Sequence, residues 1–175
     1  MRQTLIDKAA KIRFFVTDVD GVLTDGSLYF SNEGEDLKAF NVRDGLGIKW
    51  LQEAGITTAI ITGRTSQIVL NRAKGLGISH VIQGREDKKI ALMEVCQQLG
   101  FSLEQTAYIG DDVQDLSAIR HAGLGCTVAN GDPLVLEHAD WRSDFPGGAG
   151  AVRQLAEFIL ASQGKLQALH QQYLL

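Results

Sequence analysis

Short apolar runs rich in β-branched residues alternate with helical patterns along most of the chain, and this alternation restricts the possible folds most strongly. The strand-like runs IRFFVTDV and ITTAIIT are each followed, directly or after an insertion, by a segment with helical spacing. Such alternation is typical of βαβ units, whose right-handed crossovers build a parallel sheet. We therefore predict an α/β fold: a Rossmann-like three-layer sandwich with a mostly parallel central sheet and helices on both faces.

One stretch between strand one and the first helix after it interrupts this alternation. The segment GSLYFSNEGEDLKAF has two strand-like arms around the turn SNEG, which predicts an inserted β-hairpin at about residues 26–41. A two-stranded hairpin is marginally stable alone, so its aromatic residues must pack against something. The segments after strands one and three are too short for a cap domain. We predict one domain over residues 1–175, ending in a helix and tail at about 150–175.

Charge and composition exclude several classes of partner. The net charge is −4 and the pI is about 5.5, whereas a nucleic-acid-binding surface needs an excess of basic residues. No nucleic-acid partner is therefore predicted. No apolar run has the length of a membrane span or the form of a signal peptide, so we expect no membrane partner and a cytoplasmic location. Cys96 and Cys126 fit no metal spacing and are expected to be buried free thiols.

Polar residues cluster just past the ends of the predicted strands. Because the carboxyl ends of parallel strands meet at one edge of a sheet, these side chains should converge on one crevice. The residues concerned are Asp18, Asp20, Thr62, Gly63, Arg64, Asp111 and Asp112, joined by Lys88 at the start of a helix. The sequence therefore predicts a site of carboxylates, a hydroxyl group and cations at this edge.

The carboxylates at this edge indicate a bound metal ion. Asp18 and Asp20 are two residues apart, which in extended backbone points both side chains to the same side. Their mutual repulsion, increased by Asp111 and Asp112, is relieved by a hard divalent cation. Oxygen ligands without His or Cys favour Mg²⁺ over zinc. Asp25 and Asp115 we interpret instead as a turn residue and as a supporting or helix-start residue.

These motifs together resemble a known family. DVDGVLTDG, ITGR, Lys88 and GDD are similar in order and position to the four motifs of the haloacid dehalogenase-like hydrolases, over residues 14–115. The longer segments GEDLKAFNVRDGLGIK and GGAGAVRQLAEFIL narrow the resemblance, over nearly the whole chain, to the 3-deoxy-D-manno-octulosonate 8-phosphate phosphatases of the capless branch. The resemblance implies a phosphoric monoester hydrolase that requires Mg²⁺ and acts in the biosynthesis of lipopolysaccharide precursors.

The resemblance also implies roles for individual residues. Asp18 is expected to attack phosphorus and form an aspartyl phosphate, and Asp20 to protonate the leaving group and then deprotonate water. The metal ligands are expected to be Asp18, the backbone carbonyl of Asp20, and Asp111. Thr62 and Lys88 are expected to hold the phosphoryl group. Supporting roles fall to Gly63 and Asp112.

The implied substrate is a sugar-acid phosphate, whose two anionic groups suit arginine side chains. The family forms homotetramers in which a neighbour's hairpin region completes each site. Lys49 stands where the family leads us to expect an arginine, so charge is kept and bidentate geometry is lost. The candidate substrate-binding residues are Asp20, Asn41, Val42, Arg43, Asp44, Gly45, Lys49, Arg64, Arg72 and Lys88.

Three alternatives remain. A nine-carbon ketoaldonate phosphate is compatible with the same motifs. A phospho-receiver signalling domain has similar groups, but its phosphorylated Asp follows strand three and its Lys follows strand five. Here SHVIQG, the third strand, carries no Asp, and Lys88 precedes GDD. A non-catalytic interaction protein of this fold would lack an essential group, and every expected group is present.

Overall fold

The computed structural model describes residues 2–175, except the side chains of residues 2 and 36. Its strands are β1 (Phe14–Thr17), β2 (Tyr29–Ser31), β3 (Gly34–Leu37), β4 (Thr57–Ile61), β5 (His80–Ile82), β6 (Thr106–Gly110), β7 (Leu124–Thr127) and β8 (Trp141–Arg142). Its α-helices are α1 (Arg2–Ala10), α2 (Val42–Glu53), α3 (Gln67–Leu76), α4 (Lys88–Leu99), α5 (Leu116–His121), α6 (Pro133–His138), α7 (Ala151–Ser162) and α8 (Leu166–Gln171).

Six strands form one sheet in the order β5-β4-β1-β6-β7-β8, and each described pairing in it is parallel. The central strand β1 is buried along its whole length. Phe15 packs in a core with residues of α1, α2, α3 and α7, whereas Phe14 and Val16 pack against α4, α5 and α6. The alternation of side chains along a strand thus supplies both cores, and the predicted sandwich is confirmed.

The predicted insertion is confirmed as a separate two-stranded sheet. Strands β2 and β3 pair antiparallel between β1 and α2, with an irregularity between Tyr29 and Phe30. Within the described chain, the connections after β1 and β5 carry no cap domain. The hairpin is therefore the one element of the described part that can project over the carboxyl edge near β1.

Helix α2 extends beyond the segment with clear helical spacing. GLGIKWLQEAG has that spacing from Gly45 onward, and the helix begins three residues earlier, at Val42. Asn41 is its N-cap, and the side-chain Oδ1 accepts a hydrogen bond from the N–H of Arg43 at 2.8 Å. Residues 41–45 are thus a cap and a first helical turn.

The C-terminal segment folds back onto its own chain. Helix α8 brings Tyr173 next to Trp50, whose Nε1 donates to the Tyr173 hydroxyl at 3.1 Å. Leu174 and Leu175 beyond it are exposed. Within residues 2–175, every helix is too short or too polar to cross a lipid bilayer. Cys96 and Cys126 are buried free thiols, as predicted.

Candidate active site

A cavity of about 530 Å³ lies at the carboxyl edge of the sheet, where β1, β4 and β6 end. All eight predicted edge residues line it, together with several that were not predicted. Its lining consists of Asp18, Asp20, Gly26, Leu28, Thr62, Gly63, Arg64, Glu86, Lys88, Asp111, Asp112, Gln114 and Asp115. The described cavity is polar and acidic, which suits a metal ion and a phosphate group.

Lys88 lies at the floor of the cavity, buried between two carboxylates. Its Nζ donates to Asp18 Oδ2 and to Asp115 Oδ1, each at 2.6 Å. The other Asp18 oxygen accepts from the N–H of Val19 at 2.7 Å. Among the described residues Lys88 has these two partners, so its third N–H remains for a phosphoryl oxygen. Lys88 can therefore hold Asp18 and neutralise a bound phosphoryl group together.

Asp115 supports this arrangement and contributes no ligand of its own. Its Oδ1 also accepts from the buried Tyr108 hydroxyl at 2.7 Å. Its Oδ2 accepts from the N–H groups of Asp111 and Asp112 at 3.2 and 3.3 Å. A carboxylate that already accepts four hydrogen bonds has no lone pair left for a metal ion. The interpretation of Asp115 as a supporting residue agrees with this geometry.

Burial and mutual repulsion shift the pKa values of Asp18, Asp111 and Lys88. Burial, with the nearby Asp115 charge, raises the pKa of Asp18 to about 7 against the opposing effect of Lys88. Burial and the Asp115 and Asp18 charges likewise raise the pKa of Asp111 to about 7. Burial alone would lower the pKa of Lys88, but Asp115 and Asp18 raise it above its usual value. Lys88 therefore stays protonated. Its single positive charge does not compensate the burial and repulsion of the Asp18 and Asp111 carboxylates.

The donor set fits a hard divalent cation. Carboxylate oxygens of Asp18, Asp111 and Asp115 lie within 4.8 Å of one another, and no His or Cys belongs to this cluster in the described residues. Gly21, with a φ of +87°, leaves the space that Asp111 fills, because a Cβ there would lie 2.0 Å from Asp111 Oδ2. With Asp115 saturated, Asp18 and Asp111 are the side chains available to hold Mg²⁺.

The side chain of Asp20 points away from this cluster, toward the hairpin. Its Oδ1 accepts from Lys38 Nζ at 2.5 Å, and its Oδ2 lies 3.7 Å from Arg64 Nε. Lys38, just past β3, also pairs with Glu35 at 2.8 Å. The Glu35 carboxylate accepts in turn from the Ser66 hydroxyl, just before α3. In the described chain the hairpin thus reaches the site of its own chain.

Several predicted substrate-binding residues lie away from the cavity. Val42 and Arg43 are exposed in the first turn of α2, and Lys49 is exposed further along that helix. Asn41 Nδ2 donates to the carbonyl of Gly148 at 3.2 Å. Asp44 is buried and accepts from backbone N–H groups of residues 150 and 153, at the start of α7.

Arg72 and Gly45 contact each other behind the hairpin. The Arg72 guanidinium lies 5.5 Å from the Phe40 ring centroid and donates weakly to the Asn41 carbonyl at 3.4 Å. A Cβ on Gly45 would lie 2.6 Å from Arg72 Nη2, so a larger residue there would displace the guanidinium group from its present place. The Nε of Arg72 is buried without a partner among the described atoms.

Sequence reasoning missed Lys38, Tyr108, Glu86 and Gln114. Lys38 follows a hairpin strand, and no rule of parallel sheets places such a residue at the carboxyl edge. Tyr108 lies in β6, which is buried along its whole length, and in the sequence it cannot be told from an ordinary core aromatic residue. Asp115 was not missed: its position about one helical turn after GDD indicated a supporting residue near the same edge of the sheet.

Comparisons with known proteins agree with this geometry. A family model described as haloacid dehalogenase-like hydrolase matches residues 77–152. The 3-deoxy-D-manno-octulosonate 8-phosphate phosphatase KdsC of Yersinia pestis is 47% identical over 163 residues, covering 93% of this chain and 87% of that protein.

Two solved structures are similar over almost the entire chain. One is the 3-deoxy-D-manno-octulosonate 8-phosphate phosphatase of Moraxella catarrhalis in complex with magnesium, phosphate and KDO, with a TM-score of 0.97 and 45% identity over 99% of each chain. Another is the cobalt-bound deoxy-D-mannose-octulosonate 8-phosphate phosphatase of Haemophilus influenzae, with a TM-score of 0.92 and 42% identity over 96% of this chain and 99% of that one.

Proposed function

The chain belongs to the haloacid dehalogenase-like hydrolases, among the 3-deoxy-D-manno-octulosonate 8-phosphate phosphatases, and from this membership we propose how its residues perform the reaction. It is a Mg²⁺-dependent phosphoric monoester hydrolase that releases phosphate from 3-deoxy-D-manno-octulosonate 8-phosphate. The single observation that carries the residue assignments is the buried pair of Asp18 and Lys88 at the cavity floor.

The first step is an in-line displacement at phosphorus. A carboxylate oxygen of Asp18 forms the new P–O bond while the bond from phosphorus to the sugar oxygen breaks. Asp20 gives its proton to the departing alkoxide. Lys88 and Thr62 hold the phosphoryl oxygens, and Asp111 with Asp18 would hold Mg²⁺, which supplies positive charge against the developing negative charge.

The second step returns the protein to its starting state. A water molecule attacks phosphorus of the aspartyl phosphate, the bond to Asp18 breaks, and phosphate leaves. Asp20 takes the proton that the water loses, so each turnover restores its protonation. Gly63 and Asp112 support the site from the loops after β4 and β6.

We propose that the remaining selectivity comes from a homotetramer in the cytoplasm. In it, residues that lie away from the cavity of one chain would approach the sugar acid bound in a neighbouring subunit. They are Asn41, Val42, Arg43, Lys49 and Arg72. The buried Asp44 and Gly45 would support this surface from within α2, Asp44 through its hydrogen bonds to the start of α7. The exposure of Val42, Arg43 and Lys49 and the unpartnered Arg72 Nε support this assignment. Arg64, half-exposed at the cavity mouth, would meet the substrate within its own chain. We treat residues 1–175 as one phosphatase domain.

The decisive experiment measures phosphate release from a panel of substrates, with Mg²⁺ and with EDTA. We expect the eight-carbon acid phosphate to be hydrolysed fastest, and activity to vanish in EDTA and return with Mg²⁺. Preference for a nine-carbon acid phosphate would reassign the substrate. Equal rates on neutral sugar phosphates, or indifference to EDTA, would contradict the proposal.

Asp18→Asn tests the nucleophile within the same assay. The amide is nearly isosteric but cannot attack phosphorus, so we expect phosphate release to disappear while the fold and assembly persist. Asp25→Asn is the matched control, because the Asp25 carboxylate is exposed and only accepts from Ser27 N–H at 2.8 Å. Substantial turnover by Asp18→Asn would exclude Asp18 as the nucleophile.

A further inference from the structure

Lys38 is a buried cation that the reaction steps above do not use. Its side chain is 1% exposed, and its Nζ contacts Asp20 Oδ1 at 2.5 Å and Glu35 Oε1 at 2.8 Å. A lysine ammonium is costly to bury and is found there only with compensating partners. One of its two partners is the residue assigned to proton transfer.

The hairpin holds Lys38 in place through a second attachment to the same site. Glu35, three residues before Lys38, accepts a hydrogen bond from the Ser66 hydroxyl. Ser66 lies four residues past Thr62, in the loop that also carries Arg64. A continuous chain of contacts therefore runs from Asp20 through Lys38 and Glu35 to Ser66, joining the loops after β1 and β4.

These contacts determine where the Asp20 carboxylate points. Lys38 contacts one of its oxygens and the half-exposed Arg64 lies near the other, so the carboxylate lies outside the cluster of Asp18, Asp111 and Asp115, on the side of the cavity that Arg64 lines. A leaving group attached to a phosphate over Asp18 would depart toward that open side. A proton donor works only when it is held within hydrogen-bond reach of the departing oxygen.

Resting on the proposed function, we propose that Lys38 is a positioning residue for Asp20. It orients the carboxylate for proton transfer to the leaving oxygen, and the hairpin is the element that brings it there. Lys38 itself transfers no proton and forms no bond to the substrate. Its contribution to the first step should therefore appear only when the departing oxygen needs a proton, whereas the second step, in which Asp20 deprotonates water, is common to all substrates.

Two substrates whose leaving groups differ in basicity distinguish a role in positioning Asp20 from a purely structural role of Lys38. A sugar alkoxide is strongly basic and leaves only when protonated, whereas the para-nitrophenolate ion leaves without a proton. Because the second step uses Asp20 for both substrates, we compare the first step alone: the single-turnover rate constant for release of the leaving group, with protein in excess, from the sugar-acid phosphate and from para-nitrophenyl phosphate. The ratio of the two values is independent of the fraction of protein that is correctly folded.

The variants are Lys38→Met and Lys38→Arg, with Lys74→Met as a control at an exposed lysine of α3. For Lys38→Met we expect the rate constant for leaving-group release from the sugar-acid phosphate to fall on the order of 100-fold, as for loss of general acid catalysis. The rate constant for release of para-nitrophenolate should change by less than about threefold. Lys38→Arg should restore part of the ratio, and Lys74→Met should leave it unchanged.

An equal loss on both substrates, or no loss on the sugar-acid phosphate, overturns the role of Lys38. The wild-type rate on the eight-carbon acid phosphate tests the proposed function separately. If the wild-type protein does not hydrolyse that compound, the comparison uses an alkyl phosphate that it does hydrolyse. Failure of the substrate assignment and failure of the Lys38 proposal are thus read from different measurements.

Discussion

At the scale of single residues, Asp115 shows how a carboxylate serves a site without contacting substrate. It accepts hydrogen bonds from Lys88, Tyr108 and two backbone N–H groups, and it is completely buried. This network fixes the Lys88 ammonium beneath Asp18 whether or not Asp18 carries a phosphoryl group. A lysine held by Asp18 alone would lose its carboxylate partner at the moment of covalent bond formation.

The raised pKa values of Asp18 and Asp111 predict how Mg²⁺ stabilises the protein at different pH. Both are about 7 in the metal-free protein, above the ordinary value of 3.8. The folded state therefore binds more protons than the unfolded chain between these values, so these two groups contribute stability that is lost as pH rises through about 7. Mg²⁺ binds the ionised forms and offsets that loss.

We expect the gain in Tm on adding Mg²⁺ to be larger at about pH 8 than at about pH 5.5. Each kcal/mol of binding free energy should raise Tm by roughly 2–4 °C for a chain of this size. Thermal melts with Mg²⁺ and with EDTA at each pH measure the difference, and Asp111→Asn should reduce it. A gain that is the same at both pH values would show that the metal does not bind these carboxylates.

At the scale of elements, the segment Gly147–Gly150 presses against the loop that follows β1. A Cβ on Gly147 would lie 1.7 Å from the carbonyl oxygen of Gly21, and one on Gly148 would lie 2.6 Å from the backbone of Thr24 and Asp25. Thr24 also organises that loop, since its Oγ1 accepts from the N–H of Gly21 at 3.3 Å. The geometry of the catalytic loop thus depends on a segment more than 120 residues away in sequence.

Gly147→Ala should therefore displace the loop after β1 and reduce catalysis. We expect a loss of stability of about 1–3 kcal/mol, as for other overpacked sites, together with a clear fall in kcat on the preferred substrate. Denaturant unfolding and phosphate release measure the two effects.

Gly75→Ala is the matched control, because its Cβ meets no atom within 4 Å and it lies within α3. There the substitution should stabilise the helix by about 0.5–1 kcal/mol and leave activity unchanged. If Gly147→Ala behaves like this control, the contact with Gly21 does not constrain the catalytic loop.

The predictable part of the site is the part that the sheet itself positions. Asp18, Thr62 and Asp111 each follow a strand directly, and Lys88 opens the helix after another, so parallel topology alone brings them to one edge. Each was predicted from the sequence to lie at this edge, and each lines the cavity. The order of the strands was not needed for this inference, only their common direction.

Lys38 was not predictable in this way, for a physical reason. It belongs to a hairpin that is joined to the sheet through loops, and the direction in which such an insertion folds depends on tertiary contacts. Residues 41–45 were assigned to substrate binding from the family resemblance, and the assignment stays a prediction. In the described chain they form the N-cap Asn41 and the first turn of α2.

At the scale of the whole molecule, the hairpin has two faces with different surroundings. Glu35 and Lys38 face the site of the same chain, while Tyr29, Phe30 and Leu37 are 46%, 61% and 50% exposed. Large apolar side chains grouped on an exposed two-stranded sheet favour contact with another chain. This face supports the proposed tetramer.

Phe30→Ser tests that assembly. Removing the most exposed of these aromatic side chains should weaken the proposed subunit contact, and analytical ultracentrifugation should detect species smaller than the wild-type assembly. kcat/KM for the sugar-acid phosphate should fall with it if neighbouring subunits complete the site.

Leu134→Ser serves as control, because Leu134 is 45% exposed on α6, a separate element. It should leave both assembly and kinetics unchanged. A wild-type protein that sediments as a monomer, or an unchanged tetramer in Phe30→Ser, would remove the hairpin face from the interface.

The separation of the hairpin from the sheet has a consequence for how such a protein can diverge. The groups that act on phosphorus are carried by the sheet edge, whereas the inserted hairpin meets them at only a few side chains. In the proposed assembly, heritable changes on its outward face can therefore alter subunit contacts and the choice of sugar without disturbing bond breaking. Glu35 and Lys38 are the part of the hairpin that cannot change independently, because a protein that replaces them needs another group to orient Asp20.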